Sequence, residues 1–137
     1  MKIKKIIIIC FALFLISLPT VAFAYSYAFT VSFTYQKSAQ SLFWLHPQNG
    51  RIYMDVTSSA RGGSPTSQLF YVDVIREKGF SGEVVATFPF LRSGSNQKLT
   101  AYVTNTSYDK YSLKFRKSND GQTVDAYGRI YDYFYFQ

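Results

Sequence analysis

Tyr27-Ala28-Phe29-Thr30-Val31-Ser32-Phe33-Thr34-Tyr35 sets a large apolar side chain at every second position, with small or polar residues between. Successive side chains of a β-strand point to opposite faces. The stretch therefore reads as a strand with one buried and one wet face. The same period recurs along the chain. Ile52, Met54 and Val56 alternate with Tyr53, Asp55 and Thr57, and Phe70, Val72 and Val74 with Tyr71, Asp73 and Ile75. Leu99, Ala101 and Val103 then alternate with Thr100, Tyr102 and Thr104, and Tyr111, Leu113 and Phe115 with Ser112, Lys114 and Arg116.

Turn chemistry separates these runs. Leu42 to Leu45 is a short apolar run closed by Pro47 and Asn49-Gly50. Ser58 to Gln68, with Gly62-Gly63 and Pro65, reads as a mobile surface loop. Two glycines turn the chain between Glu77 and Gly82, and Glu83 to Phe88 is a strand that Pro89 assigns to an edge or a bulge. Arg92 to Asn96 reads as a loop and Asn105 to Ser107 as a turn. Asn119-Asp120-Gly121 is a hairpin signal, Asp-Gly supplying positive-φ positions. The final strand starts near Thr123 and runs into Tyr131 to Phe136. Seven to eight strands without a helix predict an all-β antiparallel sandwich, immunoglobulin-like or jelly-roll, with a closed barrel as the alternative.

Ahead of the strands stands a segment of another kind. Lys2, Lys4 and Lys5 precede an apolar run from Ile6 to Leu18, Pro19 breaks it, and Ala22 and Ala24 supply small side chains at −3 and −1. This order is that of a cleavable secretory signal peptide, residues 1–24, with cleavage after Ala24. The run is too short for a permanent span of about 20 residues. Residues 25–137 then form a single domain with no transmembrane segment. The only cysteine, Cys10, leaves with the leader, so the mature chain carries no disulfide or thiolate chemistry. Small eukaryotic secreted domains usually carry disulfides, so their absence points to a bacterial source, and the lysine-rich start of the leader to a Gram-positive one.

Removing the three leader lysines leaves twelve Lys and Arg against eight Asp and Glu, a formal charge of +4. This modest excess suits anionic envelope polymers and falls short of the clustered field of a nucleic-acid binder. Enzymatic constellations are sparse. His46 is the only histidine, no Gly-x-Ser-x-Gly elbow occurs, and no glycine loop is followed by a phosphate-binding lysine. Asp109, Asp120, Asp125 and Asp132 lack calcium-loop spacing, although carboxylates from separate loops meet in some carbohydrate-binding sandwiches. The reading is of a non-enzyme with no cofactor and no metal site.

Aromatics carry the functional expectation. All twelve tyrosines and the single Trp44 lie beyond residue 24. On the last strand Tyr127, Arg129, Tyr131, Tyr133 and Tyr135 share one face, interleaved with Ile130, Phe134 and Phe136. If the even positions are core, this stripe and Trp44 form a binding surface for a cell-wall polymer, a carbohydrate or a protein. The strand-forming segment 131–137, which carries little charge beyond Asp132, calls for an interior or covered position or a pairing partner. The leader ending Ala22-Phe23-Ala24, with the Tyr111 to Gly121 hairpin running into Tyr127-Gly128-Arg129-Ile130-Tyr131, resembles small secreted β-sandwich proteins of Gram-positive bacteria with no assigned activity. That resemblance implies secretion and fold class and no functional residues. Two other classes remain open: a secreted antimicrobial or toxin-like protein acting on membranes, and a small hydrolase.

Overall fold

The computed structural model describes residues 25–38, 41–47 and 49–132. The expected cleavage site after Ala24, and Tyr133 and Tyr135, lie outside the described residues. Among those described the protein is all-β, with nine strands: β1 (Ser26–Phe33), β2 (Gln36–Ser38), β3 (Phe43–Leu45), β4 (Arg51–Arg61), β5 (Leu69–Lys78), β6 (Ser81–Leu91), β7 (Gly94–Tyr102), β8 (Asp109–Arg116) and β9 (Thr123–Tyr131). They form two antiparallel sheets. One has the order β1-β9-β4-β7; the other has the order β2-β8-β5-β6, with β3 also paired to β8.

The pairing is nested. β1 pairs with β9, β2 and β3 with β8, β4 with β7, and β5 with β6. This is one long hairpin wrapped on itself, with the β5–β6 turn at its tip, and it is the strand order of a jelly roll. In an immunoglobulin fold the first strand pairs with the second; here it pairs with the last. Among the described residues no strand is hydrogen-bonded into both sheets, which makes the fold a sandwich and not a closed barrel.

The core follows the alternation. Phe29, Val31 and Phe33 from β1, Ile52, Met54 and Val56 from β4, and Val124, Ala126 and Ile130 from β9 face inward. They meet Phe70, Val72 and Val74 from β5, Phe88 and Phe90 from β6, and Tyr111, Leu113 and Phe115 from β8. Each Val, Leu, Ile, Met or Phe among them contributes about 1.5–3 kcal/mol on burial. Phe33 meets Phe70 edge-on at 5.8 Å between ring centroids and Phe115 at a tilt at 5.9 Å.

The structure differs from the sequence reading at three connections. β4 continues through Arg61, because Ser58 to Arg61 pair with Ala126 to Thr123 of β9. The loop therefore begins only at Gly62, and backbone bonds fasten it: Ser64 N donates to Asp120 O at 3.1 Å. β7 begins at Gly94, five residues before the expected strand, where the φ of 49° at Asn96 and its bond to Thr57 Oγ1 accommodate the start. The third difference concerns Asn119-Asp120-Gly121. Gly121 does adopt a φ of 74°, but β8 and β9 lie in different sheets and are not hairpin partners. The turn is a corner between sheets. Pro89 does fall on an edge strand, β6, and β9 is interior between β1 and β4.

That corner holds a buried polar cluster. Arg92, between β6 and β7, donates from Nη1 to Asp120 Oδ2 at 2.6 Å and to Gln122 Oε1 at 3.0 Å, and from Nε to Leu69 O at 3.0 Å. Lys117 Nζ donates to Asp120 Oδ1 at 2.8 Å. All three charged side chains are 1% exposed or less. The Lys117 and Arg92 donors hold the Asp120 carboxyl far below the usual carboxylate range. Asp120 also accepts from Thr66 N, so one carboxylate ties the 62–68 loop, the β6–β7 connection and the β8–β9 corner together.

Candidate functional site

The wet positions of the four-stranded sheet form cross-strand rows. Register places Lys98, Asp55, Arg129 and Ala28 in one row, and Thr57, Tyr127 and Thr30 in the next, with Ser59, Asp125 and Ser32 beyond. Core-facing neighbours Ala126 and Ile130 fix the parity, so Tyr127 points outward. Its side chain stays free of large neighbours because the flanking strands offer only threonines in its row. Tyr127 is 60% exposed.

The ring stands between two shallow depressions. One, of about 380 Å³, is lined by Thr30, Ser32, Lys37, Thr57, Ser59 and Asp125. The other, of about 290 Å³, is lined by Ala28, Asp55, Thr57, Asn96 and Arg129. Tyr127 lines both. Hydroxyls, an amide, carboxylates and two cations thus surround one aromatic plate on a flat, open surface. Asp125 bonds to Arg61 Nε at 2.9 Å, and that pair together with the Ser32 hydroxyl keeps its carboxyl ionised below the ordinary range. Such a surface can stack a ring and hydrogen-bond around it.

The expected site residues separate into groups. Tyr127 and Arg129 share the exposed face. Tyr131 lies in the next row, but it is partly covered: its ring stacks on Tyr53 at 5.4 Å and its hydroxyl lies 3.2 Å from Asp55 Oδ1. Burial and the Asp55 charge push its phenol up to about 12. Trp44 belongs elsewhere. It projects from β3 on the outer side of the other sheet, stacks on Tyr108 at 4.7 Å, and carries Lys110 Nζ 5.2 Å from its ring. Trp44 and the Tyr127 face are therefore on opposite sides of the sandwich.

The carboxylates considered for catalysis or calcium do not converge. Asp109 pairs with Arg76, Asp120 with Arg92 and Lys117, and Asp125 with Arg61. Asp132 accepts from the backbone N–H groups of Tyr25 and His46. Among the described residues no group of three His, Cys, Asp or Glu side chains is placed to hold a metal ion, and no helix is long and apolar enough to cross a membrane. Alternation exposes the Tyr127 face in the sequence. The Asp120 cluster and the buried Asp132 carry no sequence signal, since their partners come from remote connections. No protein-family model matches the chain, and no curated protein matches it significantly.

Proposed function

We propose that this is an exported, non-enzymatic binding domain, released by cleavage after Ala24, that engages a carbohydrate polymer of the cell envelope through the outer face of the four-stranded sheet. The observation that carries the reading is Tyr127, standing exposed between two polar depressions. A sugar ring offers C–H groups to an aromatic plate and hydroxyls to its surroundings. Thr30, Thr57, Asn96 and Asp125 line the depressions beside the ring and supply hydrogen-bonding groups for the hydroxyls. Arg129 and Lys37 add attraction to anionic polymers. Co-sedimentation of the purified protein with isolated cell wall and with immobilised polysaccharides tests this. Tyr127→Ala is expected to weaken retention at least tenfold, with Trp44→Ala within twofold of the parent. Retention by no envelope fraction at low salt overturns it.

A second reading, action on membranes, is favoured by the β5–β6 tip, where Phe80 is fully exposed and Val84 is 57% exposed. Aromatic side chains partition to bilayer interfaces. Under that reading anionic vesicles leak on addition of the protein, and Phe80→Ser removes the leakage; intact vesicles and unimpaired bacterial growth count against it.

A further inference from the structure

Asp132 is buried, 6% exposed, immediately after β9. Its Oδ1 accepts from Tyr25 N at 3.0 Å and its Oδ2 from His46 N. Asp132 N in turn donates to Tyr25 O at 3.2 Å. No Lys or Arg among the described residues forms an ion pair with it, unlike Asp73, Asp109, Asp120 and Asp125. A buried carboxylate without a cation is costly. Burial accordingly pushes its carboxyl above the usual range, with the His46 and Tyr25 N–H donors and the charge of the His46 imidazole opposing. The missing cation has an obvious place, the nitrogen of Tyr25.

We propose that Asp132 is the receptor for the mature N-terminus, an ammonium-binding site that is completed when the Ala24–Tyr25 peptide bond is cut. The inference rests on the cleavage proposed above. In that hydrolysis, by an external signal-type peptidase and water, the Ala24 carbonyl carbon gains the hydroxyl of water and leaves as a carboxylate. The Tyr25 nitrogen takes the proton and, at neutral pH, a second one. An amide donor 3.0 Å from Oδ1 thereby becomes an α-ammonium at the same position. Charge-assisted hydrogen bonds of this kind are about twice as strong as neutral ones. Processing would then give a buried carboxylate that has no Lys or Arg partner an ammonium partner that fastens β1 to the end of β9.

The pair has a pH signature. An α-amine ordinarily titrates at about 7.7–8.0. Raised by Asp132, it contributes stability that is complete below about pH 8 and is lost as pH climbs through the raised value. The other titratable groups facing this site are His46, Tyr108, which packs on both Tyr25 and His46, and Tyr111, with the Arg76–Asp109 pair beyond it. A His46→Gln background removes the imidazole from the site.

The test expresses the full chain for export and sequences the N-terminus of the exported protein. Its α-amine is titrated by NMR, and urea midpoints are compared for the parent and for a chain with one alanine inserted between Ala24 and Tyr25, each with and without Asp132→Asn. A start at Tyr25, an amine at least one unit above its ordinary range, and an Asp132→Asn effect that shrinks in the inserted chain are expected. A start at Tyr25 with an ordinary amine, or an equal Asp132→Asn effect in both chains, overturns the inference and leaves the cleavage standing. A different start overturns both. Should Asp132→Asn fail to fold, the amine titration decides alone.

Discussion

Asp120 shows how one side chain can organise a corner that the core does not reach. Two cations share its carboxylate, and three connections end on it. Replacing Asp120 with Asn leaves Arg92 and Lys117 buried without their counter-charge, so the urea midpoint should fall far more than for Arg61→Ala, whose ion pair with Asp125 is solvent-exposed. Because the folded state holds the Asp120 carboxyl well below the unfolded value of about 4, its contribution is present above that pH and drains away on acidification. A urea titration series from pH 6 to pH 2 reads this directly, and a distinctly shallower profile in the Asp120→Asn chain, where the paired Asp73, Glu83, Asp109 and Asp125 still titrate, confirms the assignment. Gly63 is the companion feature. Its φ is 63°, and a Cβ there would lie 2.2 Å from Gln122 N in the backbone of the opposing corner. Gly63→Ala should destabilise by more than about 1 kcal/mol in equilibrium unfolding.

β9 carries both the core and the candidate binding face. Val124, Ala126 and Ile130 point in, Tyr127 and Arg129 out, and β1 and β4 flank it. Gly128 lets β4 approach: a Cβ would fall 2.0 Å from Asp55 O and 3.1 Å from the Phe29 ring. Gly128→Ala should cost about 1–3 kcal/mol and disturb the Tyr127 row, read as lost thermal stability together with weakened polymer retention. The parity of β9 is legible in the sequence because alternation is a local property, and so Tyr127 and Arg129 can be placed on one face by counting. Which sheet a strand joins is not local. That is why Asn119-Asp120-Gly121 announces a turn truthfully and its partners falsely, and why Trp44 reads as a neighbour of a stripe that lies on the opposite side. Ser58 to Arg61 carry loop-forming residues, yet the ladder offered by β9 overrides them.

Nested pairing governs the molecule as a whole. Ser26 must find Tyr131 across almost the entire domain, while only β5 and β6 meet through a tight turn, where Gly79 has a φ of 59°. Loop-closure entropy therefore weighs on every pair except the innermost. Refolding from urea is expected on the millisecond-to-second scale of non-local β-proteins, with β5–β6 pairing ahead of β1–β9 in pulse-labelled hydrogen exchange. Early protection of β1 would contradict that order.

The same arrangement fixes how the protein answers a mechanical load. β1 begins where β9 ends, so a pull between residues 25 and 132 acts across adjacent antiparallel strands from one end. Their hydrogen bonds then open one after another instead of shearing together, as in a zipper drawn from its slider. Single-molecule extension between these points should show detachment of β1 at low force, before the sandwich yields.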